Sequence, residues 1–432
     1  MKDIFLIKGL GGKKTLNGTL PVRGAKNAAL PAFASSILFK DPLRVDNVPY
    51  IEDIKHIAEM IEDLGGETER NGAHSWTLSG NTVNKTALNV ELAKHMRASI
   101  VLAGPILARF GAVSFPHPGG CVLGERPVDM FLDAFEKMGA AVRMDNEIYT
   151  LTTNGKKLHG AEIFLRVQSH TATETIMIAA VLAEGTTILK NAAMEPEIAN
   201  VAEFLNSCGA KIKGAGTQII EITGGGLLKT GGKVFRTIPD RIETGSFLIL
   251  AALAGENLKI TDCEPKHIEA LIERLKRAGV PMEISKYSIT VTAKTGAKNS
   301  DYRGVNIKTH EYPGFPTDLQ APMAVFLTQA KGESEIFETI FDGRLNYAAD
   351  LEKMGAVVRT WGTHTMTVKG PSVLKGRELE GPDIRAGLAY VLAAIIAKGR
   401  SVVNNVHYVD RGHERIEERL KAVGVDIERI TN

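Results

Sequence analysis

A short pattern recurs six times along the 432 residues: a helix-like run that ends in glycine. The runs read MIEDLGG, AFEKMGA, EFLNSCGA, RLKRAGV, DLEKMGA and RLKAVGV, and they close on Gly65, Gly139, Gly209, Gly279, Gly355 and Gly424. The spacings are 74, 70, 70, 76 and 69 residues. A glycine at the end of an amphipathic helix predicts a left-handed C-cap. An alternating strand follows, as in YSITVTA or THTMTVKG. Upstream of each run lies a second helix of small apolar residues and then a strand, as in GSFLILAALAGENLKI. A unit of this length is too long for a solenoid repeat and fits a βαβαββ subdomain.

Six units divide into two domains of three, which predicts an α/β (α+β) protein of six βαβαββ-type repeats. The first domain is expected over 22–235, with the cysteine-bearing loop of its second repeat. The other is expected to combine 1–21 with 236–432, and FRTIPDRIETGSF is the second crossing between them. The upstream helices are apolar on every side, so each is expected inside its three-repeat domain. Lys plus Arg exceeds Asp plus Glu by only 52 to 50, which argues against a nucleic-acid surface but leaves room for a local basic cleft. The longest apolar run, GLAYVLAAIIA from Gly387, is too short to span a bilayer, and the start has too short an apolar core for a signal peptide. A cytoplasmic protein with no membrane partner is expected, as a monomer or weak oligomer. Cys121, Cys208 and Cys263 lie 87 and 55 residues apart, which matches neither a zinc site nor a disulfide framework, so no metal and no cofactor are expected.

The informative polar residues precede the apolar helices: Lys26 and Asn27, Arg97, Ser169 with His170 and Thr171, Arg241 and Glu243, Asp318, and Asp383 with Arg385. By the repeat these are equivalent helix starts, expected to converge on one cleft. Helix N-termini favour anions, and Lys26, Arg97 and Arg385 add cations where an anion would be welcome. Asp383 and Thr171 are equally well read as caps. A phosphorylated or carboxylated small substrate fits this pattern.

From strand to closing glycine the repeats take 19 to 21 residues, but the second takes 26, from Val113 to Gly139. The excess lies in FPHPGGCVLGERPVD, a Pro- and Gly-rich addition of the kind that forms lids and binding loops. Its Cys121 has no counterpart in the other repeats. Arg126 and loop N–H groups would lower its pKa and favour a reactive thiolate. Cys208 falls where the sister repeats carry Leu64, Met138, Ala278, Met354 and Val423, which marks it as a core thiol; Cys263 also reads as structural.

GAKNAALP, MRASI, PGGCVLGERPVD, PGFPTDLQA and VDRGHERIEERL, in this order on six repeats, resemble the enolpyruvyl transferases over essentially the whole chain. The EPSP synthase branch is less similar, because it lacks the cysteine loop. The resemblance implies two inside-out α/β barrels. It also implies metal-free transfer of the enolpyruvyl group of phosphoenolpyruvate to the 3′-hydroxyl of UDP-N-acetylglucosamine, a step of peptidoglycan synthesis. Carried over by motif, Lys26, Asn27, Arg126, Arg344, Arg385 and Arg411 would hold phosphoenolpyruvate. Arg97, Arg126, Pro127, Val128, Asp129, Ser169, His170, Asp318 and Ile340 would meet the nucleotide sugar. Cys121, Asp318, Lys26 and Arg411 would carry the chemistry, with Cys121 as acid or nucleophile and Asp318 as proton acceptor. The third repeat departs from the family pattern Lys-Val-Ser-Val-Gly-Ala-Thr and reads VQSHTAT, with Val167 in place of the lysine. Either Arg166 supplies the missing cation or the sugar nucleotide differs, and His170 reads equally as a helix cap. Phe131 likewise replaces a customary histidine. A paralogue that only binds sugar nucleotides is disfavoured by the intact Lys26, Cys121, Arg126, Asp318 and Arg411.

Overall fold

The computed structural model describes residues 3–119, 128–293 and 298–431. The chain forms two compact units and passes between them at Arg23/Gly24 and at Ile238/Pro239. Of the described residues, the terminal unit takes those up to Arg23 and from Pro239 onward, and the middle unit takes those between.

The terminal unit has three four-stranded sheets. Strand Ile4–Lys8 lies between Arg400–Asn404 and Asp426–Ile430, antiparallel to both, with Phe5 opposite Val403 and Arg429. Strand Leu16–Pro21 adds parallel to Gly255–Thr261, with Leu20 opposite Ile260. The residues ahead of the first repeat therefore complete two sheets of the last three. Inside the sheets sit the helices Arg241–Ala254, Gln320–Leu327 and Ile384–Ile396, which pack on one another. All 14 residues of the first are buried, as expected of a helix with no polar face.

The middle unit repeats the plan around Lys26–Ser35, Ala103–Phe110 and His170–Ala180. Among the described residues its second sheet has three strands, Ala112–Pro116, Ile148–Thr152 and Ala141–Asp145. The six glycines that mark the repeat all take φ between +92° and +105°. A side chain there would be strained, and each glycine turns its helix into the next strand. Sheets outside and apolar helices inside is the inside-out arrangement within each unit.

Where the chain leaves the terminal unit, Arg23 is fixed on both sides. Its N–H donates to Glu243 Oε2 at 2.8 Å, and its carbonyl accepts the N–H of Asp240 at 2.8 Å. Glu243 also takes both ends of the Arg419 guanidinium, at 2.6 and 3.0 Å, in a buried bidentate pair. Burial alone would raise the Glu243 carboxyl, but the charge and hydrogen bonds of Arg419, with His413 Nδ1 3.6 Å away, hold it well below its usual 4.5. A depressed carboxyl contributes stability that is present above the unfolded pKa and lost as pH falls below it. Glu243→Gln should cost about 3 kcal/mol near neutral pH, the low end for breaking one side of a buried pair. The gap between the urea-unfolding free energies of variant and wild type should begin to narrow near pH 4.5, shrink by about 2 kcal/mol by pH 3, and go on narrowing as pH falls toward the carboxyl's far lower folded value. A gap constant across that range would contradict this account.

Candidate active site

In the terminal unit the site is built around Asp318. It lies in a single 3₁₀ turn, Thr317–Leu319, that leads into the buried helix Gln320–Leu327. Arg344 donates from Nη2 to Asp318 Oδ1 at 2.5 Å and from Nη1 to Thr317 Oγ1 at 2.7 Å. Arg385 stands in the first turn of the next buried helix, which Asp383 caps by accepting the N–H groups of Arg385 and Ala386 at 2.7 and 3.1 Å. Its Nη2 lies 3.4 Å from Asp318 Oδ2. Burial would raise the Asp318 carboxyl, but Arg385, Arg344 and Arg241 together hold it far below the usual carboxylate range. Its side chain keeps 27% exposure while that of Arg344 keeps 5%, so the carboxylate has an open edge and its holder does not.

Arg385 Nη1 is buried and has no hydrogen-bond partner among the described residues. A buried guanidinium N–H without an acceptor is costly and fits an anion. The loop after Val409 comes up against the same group: a side chain at Gly412 would stand 2.8 Å from Ile384 Cγ2 and 4.0 Å from Arg385 Nη1. Glycine at 412 therefore permits the close approach that brings Arg411, half-buried at the end of helix His407–Asp410, to this region. Ile340 is half-buried, and its N–H is bonded to Glu338 Oε1 at 2.8 Å.

In the middle unit, Lys26 opens its helix and places Nζ 2.9 Å from Asp53 Oδ2, a carboxylate with 1% exposure. The cation at that N-terminus thus already has a partner in the protein, which the sequence argument for a ligand did not count. Asn27 is half-buried beside it. Arg97 begins a 3₁₀ stretch, Arg97–Leu102, rather than the helix itself, which starts at Ala103. Val128 belongs to the core at 3% exposure. Asp129 opens helix Asp129–Lys137; it accepts the N–H of Met130 at 2.8 Å and the guanidinium of Arg166. The same guanidinium lies 3.6 Å from Asp133, and it borders a groove of about 320 Å³ lined also by Met130, Ala134, Ile163 and Leu165.

At VQSHTAT, Ser169 is the cap, accepting the N–H of Ala172 at 3.3 Å. Thr171 is not; its carbonyl accepts the hydroxyl of Thr175. His170 Nδ1 turns back to Glu174 Oε2 at 3.3 Å. Burial and the nearby Glu197 and Glu195 push the Glu174 carboxyl well above its usual value. Val167 is 56% exposed where the family pattern has a lysine, and Arg166 is engaged with Asp129 and Asp133. Cys121, Arg126 and Pro127 lie outside the described residues.

Sequence reasoning missed Asp53, Glu174, Thr317 and Glu338. Asp53 and Glu174 sit on faces of their helices that are otherwise apolar, a signal that periodicity could have flagged. Among the described residues no group of three or more His, Cys, Asp or Glu is arranged to hold a metal, and no helix is long and apolar enough to cross a membrane.

Residues 10–420 match the family model described as EPSP synthase (3-phosphoshikimate 1-carboxyvinyltransferase). The chain belongs to the enolpyruvyl transferases. It is 41% identical to UDP-N-acetylglucosamine 1-carboxyvinyltransferase 1 of Caldanaerobacter subterraneus subsp. tengcongensis, across 99% of this chain and 100% of that one. It is 40% identical to the UDP-N-acetylglucosamine 1-carboxyvinyltransferase of Klebsiella pneumoniae, across 97% and 98%. Among solved structures, the enolpyruvyl transferase NikO of Streptomyces tendae superposes with a TM-score of 0.86 at 23% identity, covering 100% of this chain and 99% of its own. EPSP synthase of Acinetobacter baumannii superposes with a TM-score of 0.73 at 18% identity over the full length of both. Those likenesses establish the fold.

Proposed function

We propose that this enzyme transfers the enolpyruvyl group of phosphoenolpyruvate to the 3′-hydroxyl of UDP-N-acetylglucosamine and releases phosphate. The observation that carries the reading is Asp318, ionised and fixed by Arg344 and Arg385, with the buried Nη1 of Arg385 lacking an acceptor among the described residues. Full-length identity of about 40% to carboxyvinyltransferases named for that acceptor supports it. The product would be a peptidoglycan precursor and the setting the cytoplasm.

The reaction adds the sugar oxygen to C2 of phosphoenolpyruvate and a proton to C3. Loss of phosphate from C2 and of a proton from C3 then restores the double bond. Lys26, Arg126, Arg385 and Arg411 hold the phosphate and carboxylate and stabilise the phosphate as it leaves. Cys121 gives the proton to C3 or adds at C2, and Asp318 takes the hydroxyl proton. While two guanidiniums face it, Asp318 binds a proton weakly; a phosphate that competes for Arg385 raises its proton affinity. Asp129, Ser169, His170 and Ile340 meet the nucleotide sugar, together with Arg97, Pro127 and Val128.

A second reading keeps the chemistry and changes the sugar nucleotide. It is favoured by Val167 in place of the lysine and by the engagement of Arg166 with Asp129 and Asp133. Phosphate release from phosphoenolpyruvate should depend on UDP-N-acetylglucosamine. Release only with another sugar nucleotide would select the second reading, and none with a broad panel would remove both.

A further inference from the structure

We propose that Thr317 and Glu338 are positioning residues for Asp318, joined to it through Arg344, from which one hydrogen bond runs to Asp318 and another runs through Thr317 to end on the buried Glu338 carboxylate. The inference rests on the reading of Asp318 as the proton acceptor. Glu338 is 0% exposed. Its Oε2 accepts the hydroxyl of Thr317 at 2.7 Å, and its Oε1 accepts the N–H groups of Ile340 and Phe341 at 2.8 and 3.2 Å. Thr317 Oγ1 in turn accepts from Arg344 Nη1 at 2.7 Å, while Arg344 Nη2 donates to Asp318 at 2.5 Å.

Direction is what makes this arrangement specific. A threonine hydroxyl has one hydrogen to give, and Glu338 takes it. The Thr317 lone pairs are thereby turned to Arg344, and the plane of that guanidinium is set. Asp318 then meets a donor in a fixed orientation at one oxygen and Arg385 at the other. Burying a carboxylate costs free energy that only good hydrogen bonds offset, and three donors meet this one. The loop that carries it is anchored as well: His364 Nδ1 is 2.8 Å from the Glu338 carbonyl, and His364 Nε2 is 2.7 Å from Asp342. The same carboxylate therefore fixes both the backbone at Ile340, read as a nucleotide-sugar contact, and the orientation of the base. Glutamine at 338 has the right shape, but its NH₂ must face either the Thr317 hydroxyl or the two backbone N–H groups. One donor then opposes another, and the chain loses its direction.

The test is steady-state kinetics on Thr317→Ser, Thr317→Val and Glu338→Gln, with Asp318→Asn as reference and thermal melts on all four. Thr317→Val and Glu338→Gln should lower kcat about 30-fold or more, since small misplacements of a reacting group can cost about 100-fold. The KM for phosphoenolpyruvate should stay within about threefold of wild type, because none of the anion-holding groups is removed. Thr317→Ser, which keeps the hydroxyl, should stay within about threefold in kcat. Glu338→Gln alone should also raise the KM for the nucleotide sugar, through Ile340. If the valine variant melts early, Thr317→Ala gives the same comparison with serine. Wild-type kcat in Thr317→Val beside an inactive Asp318→Asn would overturn the positioning role and leave the proposed function standing. So would equal losses in the serine and valine variants. Activity in Asp318→Asn would overturn both.

Discussion

Asp318→Asn is expected to lower turnover by about a thousandfold, within the range for loss of a general base, while phosphoenolpyruvate still binds. Asparagine keeps the shape and can still accept from Arg344, so the turn Thr317–Leu319 should persist. What it loses is charge and proton affinity. Removing a negative charge from among Arg344, Arg385 and Arg241 makes the surroundings more positive, which favours an anionic ligand. Binding of phosphoenolpyruvate, measured by titration calorimetry, should therefore be unchanged or tighter. Alanine is the poorer test. Arg344, with a side chain 5% exposed, would lose its shortest hydrogen bond and keep only the one to Thr317. A thermal melt on the asparagine variant guards against the same objection. Wild-type turnover would remove Asp318 from the mechanism.

The parts of this molecule that were legible in the sequence are those governed by local chemistry. Six glycines end six amphipathic helices because the left-handed conformation is needed there, and each has it. Helices with no polar face had to be inside, and the helix from Arg241 to Ala254 is buried at every residue. Asp383 caps as its position suggested, whereas the cap of the third repeat's helix is Ser169 and not Thr171 or His170. Pairings between distant elements were not legible. The carboxylate that meets Lys26 lies 27 residues on, in another helix, and that which meets Arg166 lies 37 residues back. No periodicity carries such information, because it is set by how two elements pack. The Thr317–Glu338 bond is of the same kind. From the sequence Lys26 reads as a cation that calls for an anion and Arg166 as a substitute for the missing lysine, yet both have protein partners.

An epoxide carrying a phosphonate, an electrophile shaped like phosphoenolpyruvate, is expected to attach once per chain, at Cys121, and to abolish turnover in proportion to the label. Cys263 is 0% exposed, and burial with Asp262 beside it pushes its thiol up to about 11. Its thiolate fraction at pH 7 is then about one in ten thousand. Cys208 is 9% exposed, and burial raises it too, so both lack the access and the thiolate that alkylation needs. Cys121 stands in the one repeat with extra residues, directly after a glycine pair and five residues before Arg126, where a cation would favour thiolate. The phosphonate adds a second discrimination, since it is drawn to the cations read as holding phosphoenolpyruvate, whereas Cys263 has Asp262 and Glu264 beside it. Phosphoenolpyruvate should protect, and Cys121→Ser should take up no label. Mass spectrometry that finds the adduct on Cys208 or Cys263, or finds Cys121 labelled with turnover intact, would end the assignment. A label that requires the nucleotide sugar to be present would instead mean that the thiol becomes reactive only when both substrates' sites are engaged.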